Sequence, residues 1–316
     1  LGLPLVPRRL SALDCRCLTL KMVNKILSWT STRLSFSGRL QLMQATLSGI
    51  LNFWTFNNVL PKSTLLDCER IMRNYLWAGS TAMKQSKVSW AQVCKPKEEG
   101  GLDLRRPSEC NKAAMLRLIW EILANTLSLV TWKRLLGLRP LVSANLVYTI
   151  GHNSSWSLWY DPWFQDTPLF PRLGDRAIYD SGMPHDPSLS EVLHDTNWNW
   201  PTHVWQLRDI IHSCTNIPIG QRDSIGWRSA GGAFSFKLAW ESFRLSAPTV
   251  PAKVVWYSEA IRKHSFCFWL TFRKVHLTLD KLHGFGVVQQ IICPFGCGQQ
   301  ETLDHLFFYC AYTKTV

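Results

Sequence analysis

Three thiols and one imidazole recur at close intervals near the end of this sequence. Cys293, Cys297, His305 and Cys310 form a Cys-x3-Cys-x7-His-x4-Cys series spanning eighteen residues. Four nitrogen and sulfur donors are what a structural zinc ion takes. The close Cys pair demands a tight turn, and Pro294 and Gly296 sit inside it, with Gly298 following. Glu301-Thr302 reads as the start of a short helix, with Thr302 as cap and Asp304 in the first turn. That helix would carry His305 towards the turn. His305 and Cys310 are five positions apart. One regular helix would set them about 140° apart, so the helix has to loosen before Cys310 for both to face one metal. Four protein ligands leave no open position, so such an ion is structural. The spacing leaves a second reading open, in which the cysteines are small buried hydrophobes of a reducing compartment.

Charge narrows the partners. The chain carries +13, and the excess is uneven. Residues 1–117 hold 18 Lys+Arg against 7 Asp+Glu, residues 118–250 hold 10 against 11, and residues 251–316 hold 7 against 4. The basic surface thus belongs to the N-terminal third, which favours a polyanion such as RNA or DNA. Sixteen tryptophans and 46% hydrophobic residues are enough for a sizeable core. Charged and amide residues interrupt every apolar run before it reaches transmembrane length, so no membrane partner is expected. Ten scattered cysteines without a secretory leader read as reduced thiols, which places the chain inside the cell, in nucleus or cytoplasm. Cys68, Cys94 and Cys110 fall in apolar contexts and read as core. The first residue is Leu, and both ends read as cut.

Periodicity predicts helices over Lys21–Trp29, from Gly38 onward, over 65–77 capped by Ser63 or Thr64 and ended by Gly79, and over 111–123. Lys21, Lys25, Arg33 and Arg39 are placed on the solvated side, where they and Lys84 and Lys87 of the following basic loop could track phosphates. Val88-Ser-Trp90 and Ser155–Tyr160 read as strands, residues 164–187 as an exposed connector, and 203–213 as a short helix. Residues 223–227 and 233–236 read as a hairpin across Gly231-Gly232. Helices follow at Lys237–Arg244 and 264–273, separated by a linker at Ala247–Pro251.

The order of motifs resembles the C-terminal part of plant non-LTR (LINE-type) retrotransposon reverse transcriptases. Leu34-Ser-Phe-Ser-Gly-Arg-Leu-Gln-Leu42 is similar to the thumb motif of that family. Tyr75-Leu-Trp-Ala-Gly79, Lys95-Pro-Lys-Glu-Glu-Gly-Gly-Leu102 and Trp159-Tyr-Asp-Pro-Trp163 resemble its next blocks. Gly232–Lys237, His264-Ser-Phe266 and Glu301–Cys310 resemble its zinc-binding domain. The resemblance implies that Cys293, Cys297, His305 and Cys310 hold a structural Zn2+. The first pair departs from the usual Cys-x2-Cys by one residue. The expected fold is α+β and mostly helical. A thumb-like basic region would span 1–125, a Trp-rich connector 126–220, and a reverse-transcriptase zinc-binding domain 221–316.

A polymerase holds two magnesium ions with paired carboxylates. No Asp-Asp pair occurs in this sequence, so no polymerase site is expected in it. A ribonuclease H site would need clustered acids. Asp161, Asp166, Asp175, Asp180 and Asp186 fall in the connector and read as solvated. The sequence therefore points to a non-enzymatic nucleic-acid-binding part of a reverse transcriptase. Its partner would be an RNA or DNA backbone, such as element RNA or template–primer, with no small-molecule substrate. A structural or protein-interaction remnant without selected activity is the other reading.

Overall fold

A computed structural model describes residues 3–4, 10–29, 34–82, 86–125, 139–194, 196–201, 203–229 and 232–315, with backbone alone at 122–125 and 139–140. The fold is α+β and mostly helical. It divides into two compact units, one made of residues 1–110 with 246–316, the other of residues 111–245.

The first unit begins with α1 (Arg16–Leu27), which buries Leu18, Met22 and Ile26 at a four-residue repeat. A long helical stretch follows. α2 (Phe36–Leu42) is capped by Ser35, whose hydroxyl accepts from the Gly38 amide at 3.2 Å. A π turn over Met43–Leu47 then leads into α3 (Ser48–Asn57). The sequence placed this helix from Gly38 onward; the serine cap starts it earlier, at Phe36. α4 (Lys62–Ala78) begins behind Pro61, which fixes the entry backbone in place of a Ser63 or Thr64 cap, and ends on Gly79 at φ 75°. Leu65, Cys68, Met72, Tyr75 and Leu76 face the core.

Val88-Ser-Trp90 is not a strand. The Ser89 hydroxyl accepts from the Gln92 amide at 3.4 Å and caps the short α5 (Trp90–Val93). An apolar-polar-apolar triplet cannot by itself separate a strand from a capped turn. Residues 94–103 form a tight crossing: the Leu102 amide donates to the Val93 carbonyl at 2.9 Å and Asp103 to Lys95 at 3.0 Å. Gly100 has φ 74°, and a Cβ on Gly101 would run into the Lys95 carbonyl. α6 (Pro107–Asn125) leaves this crossing. Buried Glu69 on α4 accepts from Arg106 at 3.2 Å and from Ser108 at 3.3 Å.

Residues from the far end of the chain complete this core. The Val250 amide donates to the Glu98 carbonyl at 2.7 Å, and the Ala247 amide to the buried Glu99 carboxylate at 3.0 Å. α10 (Ala252–Val255) and α11 (Arg262–Phe272) contribute Val255, Phe266, Trp269 and Leu270 to the cluster that holds Leu40, Trp54 and Trp77. Phe266 stacks on Phe36 at 5.6 Å. The Gly100 carbonyl accepts from the Trp269 indole at 2.9 Å and also from Arg273. α12 (Leu279–Gly284) and α13 (Ala311–Lys314) flank the cysteine cluster.

In the second unit, α7 (Arg139–Ser143) precedes β1 (Leu146–Gly151). β1 is the central strand of a three-stranded sheet. It pairs in parallel with β4 (Ile219–Gly220) and antiparallel with β5 (Ser224–Trp227), with Leu146 opposite Trp227 and Ile150 opposite Ile219. A small hairpin joins β2 (Leu193–His194) and β3 (Asn197–Trp198). α8 (Phe170–Ser181) is kinked at Gly174, α9 spans Arg208–Cys214, and α10's predecessor in the chain is a short helix at Phe236–Glu241. Trp163, Trp198 and Trp200 stack at 5.6–6.3 Å with interplanar angles of 16–28°.

Three expectations fail in this unit. Ser155–Tyr160 is not a strand: Leu158–Tyr160 is a turn, and Ser157 makes only an isolated bridge to Ser188. Residues 164–187 are not an exposed connector, because Phe164, Leu169, Ala177 and Ile178 are buried. Their Pro and Gly instead start and stop α8, with Pro171 in its first turn and Gly182 at φ 67° as its cap. Of residues 223–227, Ser224–Trp227 do form a strand, but its partner is β1. Ser235 caps the next helix by accepting from the Leu238 amide at 3.3 Å, so 233–236 cannot return as a strand.

Candidate metal centre

The cysteine turn is built by local hydrogen bonds. The Cys293 amide donates to the Gln299 carbonyl at 2.8 Å, the Glu301 amide to the Ile291 carbonyl at 2.7 Å, and the Gly296 amide to the Cys293 carbonyl at 3.1 Å. Gly296 at φ 73° and Gly298 at φ 77° supply the left-handed backbone that a side chain would resist. These bonds close the loop around one extra residue, so the widened Cys-x3-Cys still aims both thiols inward. Thr302 acts as the expected cap: its hydroxyl accepts from the His305 amide at 3.1 Å. The helix then loosens where the geometry requires it. His305–Tyr309 is a π turn, and the Cys310 amide donates to the His305 carbonyl at 2.7 Å, an i→i+5 bond.

The four donor atoms converge within 4.8 Å of one another. Cys293 Sγ lies 3.9 Å from Cys310 Sγ, Cys310 Sγ lies 3.9 Å from Cys297 Sγ, and Cys297 Sγ lies 3.2 Å from His305 Nε2. A zinc ion at about 2.3 Å from tetrahedral sulfurs requires sulfur–sulfur edges of about 3.8 Å. The donor set therefore fits the ion in number, chemistry and spacing. Cys293, His305 and Cys310 are buried, and Cys297 is half-buried. Burial pushes the Cys310 thiol up, but the Thr313 and Tyr312 amides and the neighbouring thiols outweigh it and hold the group below its ordinary value. Backbone amides aimed at a sulfur favour the thiolate that a metal takes. Phe295 and Tyr312, not singled out from sequence, stack at 4.5 Å and 11° beside the ligands. Their signal was position alone, each within two residues of a ligand. Zinc bound here would cross-link the turn, the π turn and α13, and it supplies no open coordination position.

The expected phosphate contacts separate. Lys21, Lys25 and Lys87 are exposed, and Lys87 Nζ sits 5.1 Å from the Phe36 ring. Arg33 and Lys84 lie outside the described residues. Arg39 is not on the solvated side: it is 8% exposed. Its guanidinium donates to the Leu76 carbonyl at 3.3 Å and reaches Trp77 at 3.5 Å, at the C-terminal end of α4, and it lies 5.3 Å over Phe36. The negative end of the α4 dipole and its orphan carbonyls hold this cation inside. A Cβ on Gly79 would come within 2.7 Å of the same guanidinium, so the Leu34–Leu42 and Tyr75–Gly79 motifs meet in one contact.

Among the described residues the five connector aspartates form no metal-holding group, although Asp161 and Asp186 share Ser157 as a donor. Asp161 accepts from the Ser157 amide at 2.8 Å, Asp166 pairs with Arg228, Asp180 accepts from Gln206 at 3.3 Å, and Asp186 accepts from the Ser157 hydroxyl. Among the described residues, the Cys3His cluster is the one group of His, Cys, Asp and Glu placed to hold a metal. No helix among them is long and apolar enough to cross a membrane.

Comparison with known proteins agrees with the cluster. An Arabidopsis thaliana protein named "Putative ribonuclease H protein" is 25% identical over 338 aligned positions, covering 92% of this chain and 53% of its own length. The chain thus spans about half the length of this curated relative. Residues 234–316 match the family described as zinc-binding in reverse transcriptase. Residues 234–316 thus resemble a reverse-transcriptase zinc-binding domain, and the Cys293, Cys297, His305 and Cys310 cluster that fits a structural zinc ion lies within them.

Proposed function

We propose that this chain is a nucleic-acid-binding, non-catalytic part of a LINE-type reverse transcriptase, stabilised by structural zinc. The observation that carries the reading is that α11 of the zinc-binding domain shares one core with the N-terminal helices, where the positive charge is concentrated. Zinc would brace a basic surface that grips an RNA or DNA backbone through Lys21, Lys25 and Lys87. Arg39 acts from inside, by fixing the end of α4, and Arg33 and Lys84 are further candidates. Contacts of this kind go to phosphate and carry little sequence preference. The name of the Arabidopsis relative also belongs to nucleic-acid chemistry. The lack of a metal-holding acid group among the described residues favours binding over hydrolysis.

The test is fluorescence anisotropy of the full chain with mixed-sequence RNA and DNA across a salt series. Binding whose log K falls linearly with log salt is expected. Lys21→Ala, Lys25→Ala and Lys87→Ala should each lower the slope by about 0.7–0.9 per phosphate lost. Absence of any salt-sensitive binding at low ionic strength rejects the reading.

A further inference from the structure

Outside the zinc cluster, the zinc-binding domain holds a groove of about 530 Å³ between the 252–261 segment, α11 and the π turn. Its walls include Val254, Tyr257, Ile261, His264, Phe268 and Phe307. Tyr257 is 57% exposed and Ile261 62%, so the apolar wall is open to solvent. Three cations adjoin lining residues in the chain: Lys253 beside Val254, and Arg262 and Lys263 between Ile261 and His264. All three are exposed, and no ion pair forms with them among the described residues. The acid in the lining, Glu259, accepts from the Ser258 hydroxyl.

Aromatic rings in an open groove, with three unpaired cations next to its lining residues in the chain against one acid, match one kind of polyanion. Duplex nucleic acid hides its base faces and needs no ring. A single strand offers both a phosphate backbone and free base faces, and each is favourable here. An apolar peptide would use the rings but leave three cations unused. We propose that this groove binds unpaired nucleotides of single-stranded RNA or DNA, with bases against Tyr257, Phe268 and Phe307 and phosphates at Lys253, Arg262 and Lys263. The proposal rests on the nucleic-acid reading above and gives it a second surface and a strand preference. It also ties the surface to zinc. Phe307 sits in the π turn between His305 and Cys310, and its ring packs on His276 at 5.3 Å.

The experiment uses the full zinc-loaded chain with fluorescein-labelled 12-nucleotide single strands of RNA and of DNA, and a hairpin duplex of the same sequence. Single strands should bind more tightly than the hairpin. Tyr257→Ala should weaken single-strand binding about 5- to 160-fold, the range that loss of one base stack gives, and Tyr257→Trp should restore it. Tyr257 lies outside the core, so folding is not at risk, and a circular dichroism melt checks it. Changing Lys253, Arg262 and Lys263 together to Ala should reduce the single-strand salt slope by about 2, at about 0.7 per phosphate. The two nucleic acids separate an RNA site from a DNA site. Equal binding of hairpin and single strand, or no loss in Tyr257→Ala, overturns this inference while leaving the general binding reading intact. So does a groove that binds an apolar helical peptide in competition with no oligonucleotide. No binding of any oligonucleotide removes both.

Discussion

Gly79→Ala tests whether Arg39 is a structural cation or a phosphate contact. Two penalties combine. Gly79 sits at φ 75°, and an L side chain in that conformation costs about 1–2 kcal/mol. The new methyl would also lie 2.7–2.9 Å from the Arg39 guanidinium, forcing it off the α4 carbonyls. Hydrogen bonds from a charged group are each worth about 1.5–3 kcal/mol. Gly79→Ala should therefore cost about 2.5–5 kcal/mol in all. At about 2–4 °C per kcal/mol for a unit of this size, the melting temperature falls by roughly 5–20 °C. A double-mutant cycle with Arg39→Ala isolates the contact. In the Arg39→Ala background, Gly79→Ala should cost only the backbone penalty of about 1–2 kcal/mol. Urea unfolding at fixed zinc concentration measures all four corners. Additivity within about 0.5 kcal/mol would show that the two residues do not interact. An Arg39→Ala chain that melts like the parent yet binds RNA with a reduced salt slope would restore the solvated reading of Arg39.

The remaining predictions are independent of that contact. Cys310→Ser should abolish stoichiometric zinc, read by metal analysis after gel filtration. Chelation of the parent chain should lower its melting temperature, and unchanged melting would show that the ion is not structural. Gly101→Ala should destabilise by more than about 3 kcal/mol, because its methyl meets the rigid Lys95 backbone; a soluble, normally melting variant would refute the crossing described for residues 94–103. Alkali should unfold the protein. Burial pushes the thiols of Cys68, Cys110 and Cys214 to about 12, against about 8.5 in the unfolded chain. Unfolding then releases protons, so stability is full below about pH 8.5 and falls as pH rises through about 12, by up to about 1.4 kcal/mol per thiol per unit. A flat urea midpoint from pH 8 to 11 would contradict this.

What could be read from sequence follows the range of each interaction. The zinc ligands, the Thr302 cap and the loosened turn before Cys310 lie within eighteen residues, and local spacing fixes them. The helix ended by Gly79 and the burial of Cys68, Cys94 and Cys110 were legible for the same reason. Arg39 was misplaced because its anchor, the end of α4, lies 37 residues away, and a cation near Phe36 carries no local sign of being covered. The strand at Leu146–Gly151 was missed because its partners begin at Ile219 and Ser224. Ser155–Tyr160 mimicked a strand because turn residues happened to alternate in polarity. Tyr257 and Phe307 meet in one groove only through tertiary packing. Neither stood out in a chain with 15 Phe and 16 Trp.

The pairing of the chain's two ends in one core bears on its synthesis. Trp77 packs near Phe266 at 6.5 Å, across roughly 190 positions of sequence. At about 5–20 residues per second, a ribosome takes about 10–40 s to cover that distance. Through that interval the apolar side of the first helices has no Phe266, Trp269 or Leu270 to cover it, while residues 111–245 have already emerged and can fold as their own unit. Residues 111–245 can then pack before residues 1–110 and 246–316 close their shared core. The nascent chain is a client for hydrophobic-binding chaperones until α11 clears the exit tunnel, and ribosome pausing between residues 245 and 272 would lengthen that exposure.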